Sequence, residues 1–502
     1  MKKKVTLFNI CTSVLVQLVT IVYYIVIQKY IISEMGSDIN GLVSSISQFL
    51  NYLSLLEGGV SAVITASLFK PLVEHDPFKV SAIVNAAKKF LSHIAYICVI
   101  YTFILATIYP KIINTKFTYG YVFWLVIIIG MGQFAQYFFA VSDRILLNAD
   151  KKIYIVSFAQ ITLVVLNFVF SVAVIYIYPE IHLLKFVLLL ATIVQIVIYR
   201  VYVTRHYKID RNIPPDQTAL RQRWDGFGQN MAWFINGNTD IVVLTLLSSL
   251  YNVSVYNVYI TIINAVKNVA NSISAALIPA VGQTFAVKNE VEKNEFFDLY
   301  EFSYQYITLI LFVCCAILVT PFVSVYTRGV TDTDYIQELF GYLMVLAVAM
   351  DCYGAPYIQG TYVNGDFKQT SMYSYISAGV NIVISVLLVG KYGLIGVAIG
   401  TFAGGFLRML FHMIYLKKHI LNREFHKSIK SIAFAITCVG ICFIINGLIG
   451  HYVRSENYFN WCILAVRVCV VTTVVVTGVS YIMYSKQLRT LLLYLKNGIQ
   501  RT

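Results

Sequence analysis

Fourteen apolar stretches follow one another along this chain, with little between them but short polar turns. Their approximate limits are 6–33, 40–69, 91–109, 120–142, 153–178, 183–203, 227–249, 256–285, 304–326, 338–362, 370–389, 393–416, 431–450 and 461–484. A bilayer core takes about 20 residues per helix. Only helices and closed barrels satisfy their backbone polar groups in lipid, and runs this long are too long for barrel strands. The rest of the composition agrees: 12% of residues are charged, against about 25% in soluble domains, and the mean hydropathy is +0.73. The expected fold class is therefore an all-α polytopic membrane protein with 14 transmembrane helices. No cleavable signal peptide is expected, because the first apolar run is too long and has no small-residue cleavage site behind it.

An even number of spans puts both termini on one side. With the N-terminus placed in the cytoplasm, 28 Lys and Arg fall inside or at inner span ends, 7 outside or at outer span ends, and 3 deeper within spans (Lys267, Arg408 and Arg467). The positive-inside rule then places both termini in the cytoplasm. The net charge of +14 is mostly this topological bias, so no nucleic-acid partner is expected. Outer loops reach about ten residues at most, too few for an extracytoplasmic catalytic domain. No H-E-x-x-H, Walker loop or G-x-S-x-G occurs, and an enzyme is not expected. The nine cysteines form no C-x-x-C and read as small apolar fillers.

The pentapeptide N-x-D-x-K occurs twice, as Asn148-Asp150-Lys152 and Asn364-Asp366-Lys368, 216 residues apart. Each copy lies in a cytoplasmic loop, six spans from the other. A duplication follows: an N-terminal six-helix lobe over 1–204, a cytoplasmic linker over 205–224, a second six-helix lobe over 225–418, and two further helices with a cytoplasmic tail over 419–502. Six is even, so the repeat is parallel, with a pseudo-two-fold axis along the membrane normal. Two such lobes suit alternating access around a central site.

An ionisable residue at mid-bilayer costs about 2.5–3.5 kcal/mol or more, so each one needs a reason. Asp240 and Lys267 are expected at nearly equal distances from a turn at 252–254, at one depth, where they can pair. Asn264, Lys267, Asn268 and Asn271 follow i, i+3, i+4, i+7 and form one polar stripe. A cationic, amide-rich stripe suits a diphosphate and sugar hydroxyls; a structural pair with amides joining helices is the alternative. Glu57, beside Gly58 and Gly59, and Asp351, just before Gly354 and Pro356, join Asp240 as candidates for ion coupling or gating. Arg408 lies near enough to the inner interface to snorkel. Arg467 is deeper; with Lys267 and the three asparagines it completes the expected head-group set, marking the deep end of a lipid-tail groove on the last two spans. Gly396, Gly400 and Gly404 mark close helix packing rather than a phosphate loop. No metal-ligand set is present.

The stretches "MGSDINGLVSSISQFLNYLSLLEGGVSAVITASLFKPLVEHD", "GNTDIVVLTLLSSLYNVSVYNVYITI" and "NADKKIYI" resemble bacterial polysaccharide flippases, the Wzx-type members of the multidrug/oligosaccharidyl-lipid/polysaccharide exporter superfamily. The resemblance implies a transporter in the bacterial cytoplasmic membrane. Its substrate would be undecaprenyl-diphosphate-linked oligosaccharide for cell-surface polysaccharide, and its neighbours membrane lipids, glycosyltransferases and a polymerase. It implies no cofactor beyond a coupling ion, Na+ or H+. A lipid II or teichoic-acid-precursor flippase and a multidrug or cation antiporter of the same superfamily are the alternatives. A membrane glycosyltransferase or polymerase is disfavoured by the short outer loops.

Overall fold

The computed structural model describes residues 2–57, 60–216, 227–421, 423–450 and 457–499. Outside them lie Gly58 and Gly59 of the second rod, residues 217–224 of the central linker, and Arg501 of the tail. Among the described residues every regular element is helical. The first run is α1 (Lys2–Met35), a broken rod α2 (Ser37–Asn51), α3 (Ser54–Glu57) and α4 (Val60–Val73), then α5 (Pro77–Ile112), α6 (Tyr119–Ala135), a π turn (Gln136–Ala140), α7 (Val141–Ala149), α8 (Ile153–Ile177) and α9 (Ile181–His206). The second run is α10 (Phe227–Leu247), α11 (Leu250–Val287), α12 (Glu290–Tyr326), α13 (Glu338–Tyr353), α14 (Ala355–Val363), α15 (Phe367–Tyr392) and α16 (Leu394–Leu416), closed by a π turn (Lys417–Leu421). Beyond it come α17 (Phe425–Gly450), α18 (Tyr458–Met483) and the short α19 (Ser485–Ile499).

Eleven helices among the described residues are long and apolar enough to cross a membrane. The second, seventh and eighth rods, drawn as spans from the sequence, are not among them. The second is broken into pieces, and α11 carries Lys267 and five asparagines. Large apolar side chains such as Ile100, Trp124 and Val466 are more than half exposed, as rods immersed in lipid require.

Chain contacts divide the protein into two units, Met1–Phe234 with Ser249–Ser254, and Ile235–Ser248 with Val255–Thr502. Within the first, α5 packs on α6, α8 on α9 and α6 on α9; within the second, α12 packs on α13, α15 on α16 and α13 on α16. The helix starts repeat too: Ser37 and Leu250, Pro77 and Glu290, and Ile181 and Leu394 are each 213 residues apart. The caps of α5 and α12 correspond. Asp76 accepts from the Phe78 and Lys79 amides, and Asn289 accepts from the Glu292 amide, each satisfying orphan donors of a first turn. The hydrogen bond from the Lys79 amide is the main reason the Asp76 carboxyl lies below its usual value.

The register of the repeat differs from the one the pentapeptides suggest. The Asp150, Lys151 and Lys152 amides donate to the carbonyls of Leu146, Asn148 and Leu147, and those of Asn364, Gly365 and Asp366 to Gly360, Tyr362 and Thr361. All three bonds match at 214 residues, not 216. Both turns close a helix with a residue of positive φ, Lys151 at 60° and Gly365 at 86°, in the manner of a Schellman motif. Equivalent loops therefore do carry the two pentapeptides, but two residues out of phase. Polar residues are frequent in any helix-ending turn, and the match in letters is partly fortuitous.

In the second unit α17 and α18 pack on α12 and on each other. They share one apolar core with it, including Phe297, Leu309, Val313, Cys438, Val468 and Val476.

Candidate membrane-embedded charge site

Three charged side chains from three helices meet midway along the second unit's rods. Lys267 Nζ of α11 lies 3.0 Å from Asp351 Oδ2 of α13. The Arg408 guanidinium of α16 pairs with the other oxygen, Asp351 Oδ1. Two cations thus share one carboxylate. The side chains of Lys267 and Asp351 are 27% and 21% exposed, while that of Arg408 is 11% exposed, so the lysine flank is the open one. Glycine sets this geometry. A Cβ on Gly354, at the junction of α13 and α14, would lie 2.9 Å from Met409 Cβ and Cγ, and one on Gly405 would lie 3.5 Å from the Ala347 carbonyl. Gly354 is the tight point, where the absence of a side chain lets α16 approach α13 closely enough for Arg408 to meet Asp351; the Gly405 distance is an ordinary van der Waals contact.

Two sequence expectations are corrected here. Arg408 does not snorkel: helical structure continues to Leu421, which leaves Arg408 mid-rod with Asp351 as its partner. Asp240 and Lys267 do not pair. The Ser249 hydroxyl accepts from the Asn252 amide, so 252–254 form the first turn of α11 and the tip lies between Leu247 and Leu250. Lys267 is then some ten residues further from the tip than Asp240, about 15 Å along a helix. The residue opposite Asp240 is Tyr256, whose hydroxyl donates to Asp240 Oδ2 at 2.9 Å; the Thr401 hydroxyl donates to the same oxygen at 2.8 Å. Asp240 is buried, and the Asn381 side chain also hydrogen-bonds its carboxylate.

No family model matches the chain, and no curated protein matches it. Solved structures do. Lipid II flippase MurJ in an inward closed conformation superposes with a TM-score of 0.69 at 14% identity, over 95% of this chain and 99% of that one. A multidrug resistance MATE family transporter of the MOP superfamily, inward-facing, gives 0.63 at 13% identity, over 80% and 94%. The MATE multidrug transporter DinF-BH gives 0.57 at 15%, over 84% and 97%. The chain shares the fold of these three solved structures.

Within this fold the other candidate residues are spread out. Asn264, Asn268 and Asn271 are exposed along α11 beside the half-buried Lys267, as the i, i+3, i+4, i+7 spacing requires. Glu57 lies in the first unit; the Ser61 hydroxyl donates to its Oε1 at 2.6 Å, and Arg144 Nη2 lies 3.6 Å from the same oxygen. Arg467 is also remote from the cluster. Its Nη2 donates to the Gly450 carbonyl at 2.8 Å, placing a cation at the C-terminus of α17, where the helix dipole favours it. The glycine stripe of α16 lies against α15: Cβ atoms on Gly396, Gly400 and Gly404 would meet backbone of Leu388, Asn381 and Ser377.

Several charged groups escaped the sequence reading. Asp143 pairs with Arg200 at 3.4 Å. Arg423 bridges Glu301 at 2.5 Å and Asp298 at 2.9 Å, Lys427 holds Asp298 at 2.7 Å, and the Tyr357 hydroxyl donates to Glu301. Apolar runs drawn to stop at charges ended at 142 and began at 304, whereas the helices run through these residues. The hydroxyls of Tyr256 and Thr401 carried no signal, being common in membrane helices.

Proposed function

We propose that this chain is a secondary transporter that flips undecaprenyl-diphosphate-linked oligosaccharide across the bacterial cytoplasmic membrane by alternating access, for cell-surface polysaccharide synthesis. The observation that carries this reading is the pair of cations, Lys267 and Arg408, sharing Asp351 in the middle of three rods. An excess positive charge at such depth is expensive, and a dianionic head group offsets that cost. The diphosphate bears about two negative charges, and attraction to a fixed cation is stronger in a low-dielectric site than in water. The exposed amides of Asn264, Asn268 and Asn271 suit the sugar hydroxyls that follow. The polyprenyl tail, which loses energy in water, stays in lipid; α17 and α18 are its proposed groove, with Arg467 at one end. Asp240, buried among the hydroxyls of Tyr256 and Thr401, and Glu57 are the groups proposed to take the coupling ion, Na+ or H+, and Asp351 the group that gates the site. Glycosyltransferases and a polymerase are the proposed neighbours in the pathway.

A lipid II or teichoic-acid-precursor flippase is the second reading, and one observation favours it. The MurJ superposition leaves about a twentieth of this chain uncovered, less than the segment 425–499, so it extends into the helices after the second run of six. A cation exporter fits less well, because the excess charge of the cluster repels its substrate.

The test is reconstitution in vesicles with fluorescent lipid-linked oligosaccharide. Lys267→Ala is expected to abolish flipping while the protein still inserts. The double variant Lys267→Met with Asp351→Asn removes the pair without leaving a lone carboxylate. Full activity in that variant would overturn the head-group role.

A further inference from the structure

The rod that carries Asp351 is broken just beyond it, between α13 and α14. Pro356 has no amide hydrogen, so the Cys352 carbonyl loses its usual helical partner. The Tyr357 amide turns to the Gly354 carbonyl three residues back, at 3.1 Å. Backbone bonds alone therefore leave this joint slack, and side chains on its far face hold it instead. Tyr353 follows Asp351 by two residues, about 200° round the helix, away from Lys267 and Arg408. Its buried hydroxyl donates to the Ser431 carbonyl of α17 at 2.7 Å and lies 2.9 Å from the Ser431 hydroxyl, which donates to Gln305 Oε1 of α12 at 2.8 Å. Tyr357, on the other side of the joint, donates to Glu301 of α12, which Arg423 holds just ahead of α17. From this arrangement we infer that Tyr353 and Tyr357 are positioning residues for the charge site: they fasten the joint to α12 and α17 and so keep Asp351 between its two cations.

The argument is one of tolerance. Asp351 serves Lys267 and Arg408 at once, one on each oxygen. The Lys267 contact is 3.0 Å long, and a shift of about 0.5 Å takes such a contact out of hydrogen-bond range. α11 and α16 engage the joint on one face through this carboxylate. α12 and α17 engage it on the other through two tyrosine hydroxyls. α17 lies beyond the second run of six and is one wall of the proposed tail groove, so groove and head-group site meet at one joint. The inference goes beyond the flippase reading and rests on it only for the identity of the anion. Tyr259 provides a comparison. Its buried hydroxyl donates to the Tyr335 carbonyl at 3.1 Å and accepts from the Gln337 amide at 3.0 Å, at the opposite end of α13 from Asp351.

The experiment measures acetylation of Lys267 by acetic anhydride in the full chain in lipid nanodiscs, read by mass spectrometry against the exposed Lys208. A lysine released from its ion pair is acylated faster. Asp351→Asn is expected to raise the Lys267 rate by about tenfold, as loss of a close opposite charge should. Tyr353→Phe and Tyr357→Phe, each removing one buried hydrogen bond, are expected to raise it by about threefold, and Tyr259→Phe to leave it unchanged. In the Asp351→Asn background Tyr353→Phe should add nothing, because residues that act through one another are not additive. A merely structural loosening would add the same factor in both backgrounds. Wild-type rates in both folded tyrosine variants or in Asp351→Asn, an equal rise in Tyr259→Phe, or full additivity in the double variant would overturn this inference and leave the flippase reading standing. That reading falls instead if Lys267→Ala flips lipid-linked oligosaccharide at the wild-type rate.

Discussion

The two halves share a backbone plan but not a charge plan. At the 213-residue spacing, Gln195 and Tyr199 of α9 correspond to Arg408 and His412 of α16. In the first half Gln195 donates to Gln160 at 2.8 Å and to Tyr199 at 3.3 Å, a neutral network. In the second, Arg408 holds Asp351 and His412 Nδ1 lies 3.0 Å from the Thr361 hydroxyl. The second rod differs in sign as well: Glu57 in the first half, with Arg144 near it, and Lys267 in the second. Two ion pairs of the first half balance, Glu57–Arg144 and Asp143–Arg200, whereas the Lys267–Asp351–Arg408 cluster of the second keeps one positive charge in excess. Duplication copies what packing needs. Unbalanced charge, which packing penalises, distinguishes the half that the proposed function assigns to the anionic ligand.

That contrast should be largest in transport. Lys267→Met is expected to lower flipping by about 100-fold, or ~3 kcal/mol, and Lys267→Arg to retain part of it, since the charge persists with altered geometry. Glu57→Gln should change ion dependence far more than the maximal rate. Equal loss of the maximal rate in both variants, in the same vesicle assay, would erase the distinction between the halves.

The next effect is on stability. Arg408→Met leaves Asp351 with one partner fewer in a buried setting and should cost up to ~3 kcal/mol. Gln195→Met removes neutral hydrogen bonds worth about 1 kcal/mol. Thermal unfolding in one detergent compares the two, and the reverse order would count against the assignment. The helix pairs provide a third comparison. Gly400 corresponds to Val187 at the same spacing, and a Cβ on Gly400 would press on the Asn381 carbonyl and Ser385. Gly400→Val should cost about 1–3 kcal/mol through overpacking, while Val187→Ala in α9 should cost less.

The smallest effect concerns the two caps. Asn289→Ala should destabilise by about 1 kcal/mol at any pH. Asp76 is a carboxylate with a lowered pKa, so its contribution is present at neutral pH and lost as the pH falls through that lowered value. Below it, Asp76→Ala should unfold at the same temperature as wild type, and Asn289→Ala should not. Melting curves at neutral and acid pH read this directly.

Periodicity made the rods legible, and with them the order of the two runs and the polar face around Lys267. Pairing was not legible, because it depends on where a helix begins to within a few residues. Asn252 and Ser254 look like a turn, yet Ser249 caps α11 ahead of them, and that displacement moved Lys267 from Asp240 to Asp351. The same limit hid Asp143, Arg144 and Glu301, which lie where apolar runs stop but helices do not. Lys151 misled the repeat for a related reason. It adopts a φ of 60° that its type disfavours, so nothing in its letter marked it as the partner of Gly365.

The π turn at Gln136–Ala140 sets the rotational phase of everything beyond it. Such a turn holds one residue more than an α-helix of the same rise, and one residue is about 100° of rotation at 3.6 residues per turn. Asp143 faces Arg200 and Arg144 faces Glu57 only because α7 is turned by that amount relative to α6. Deleting one residue from the turn would leave α6 in place and swing both side chains about 100° around the rod axis, uncoupling two ion pairs with no change in their own identity.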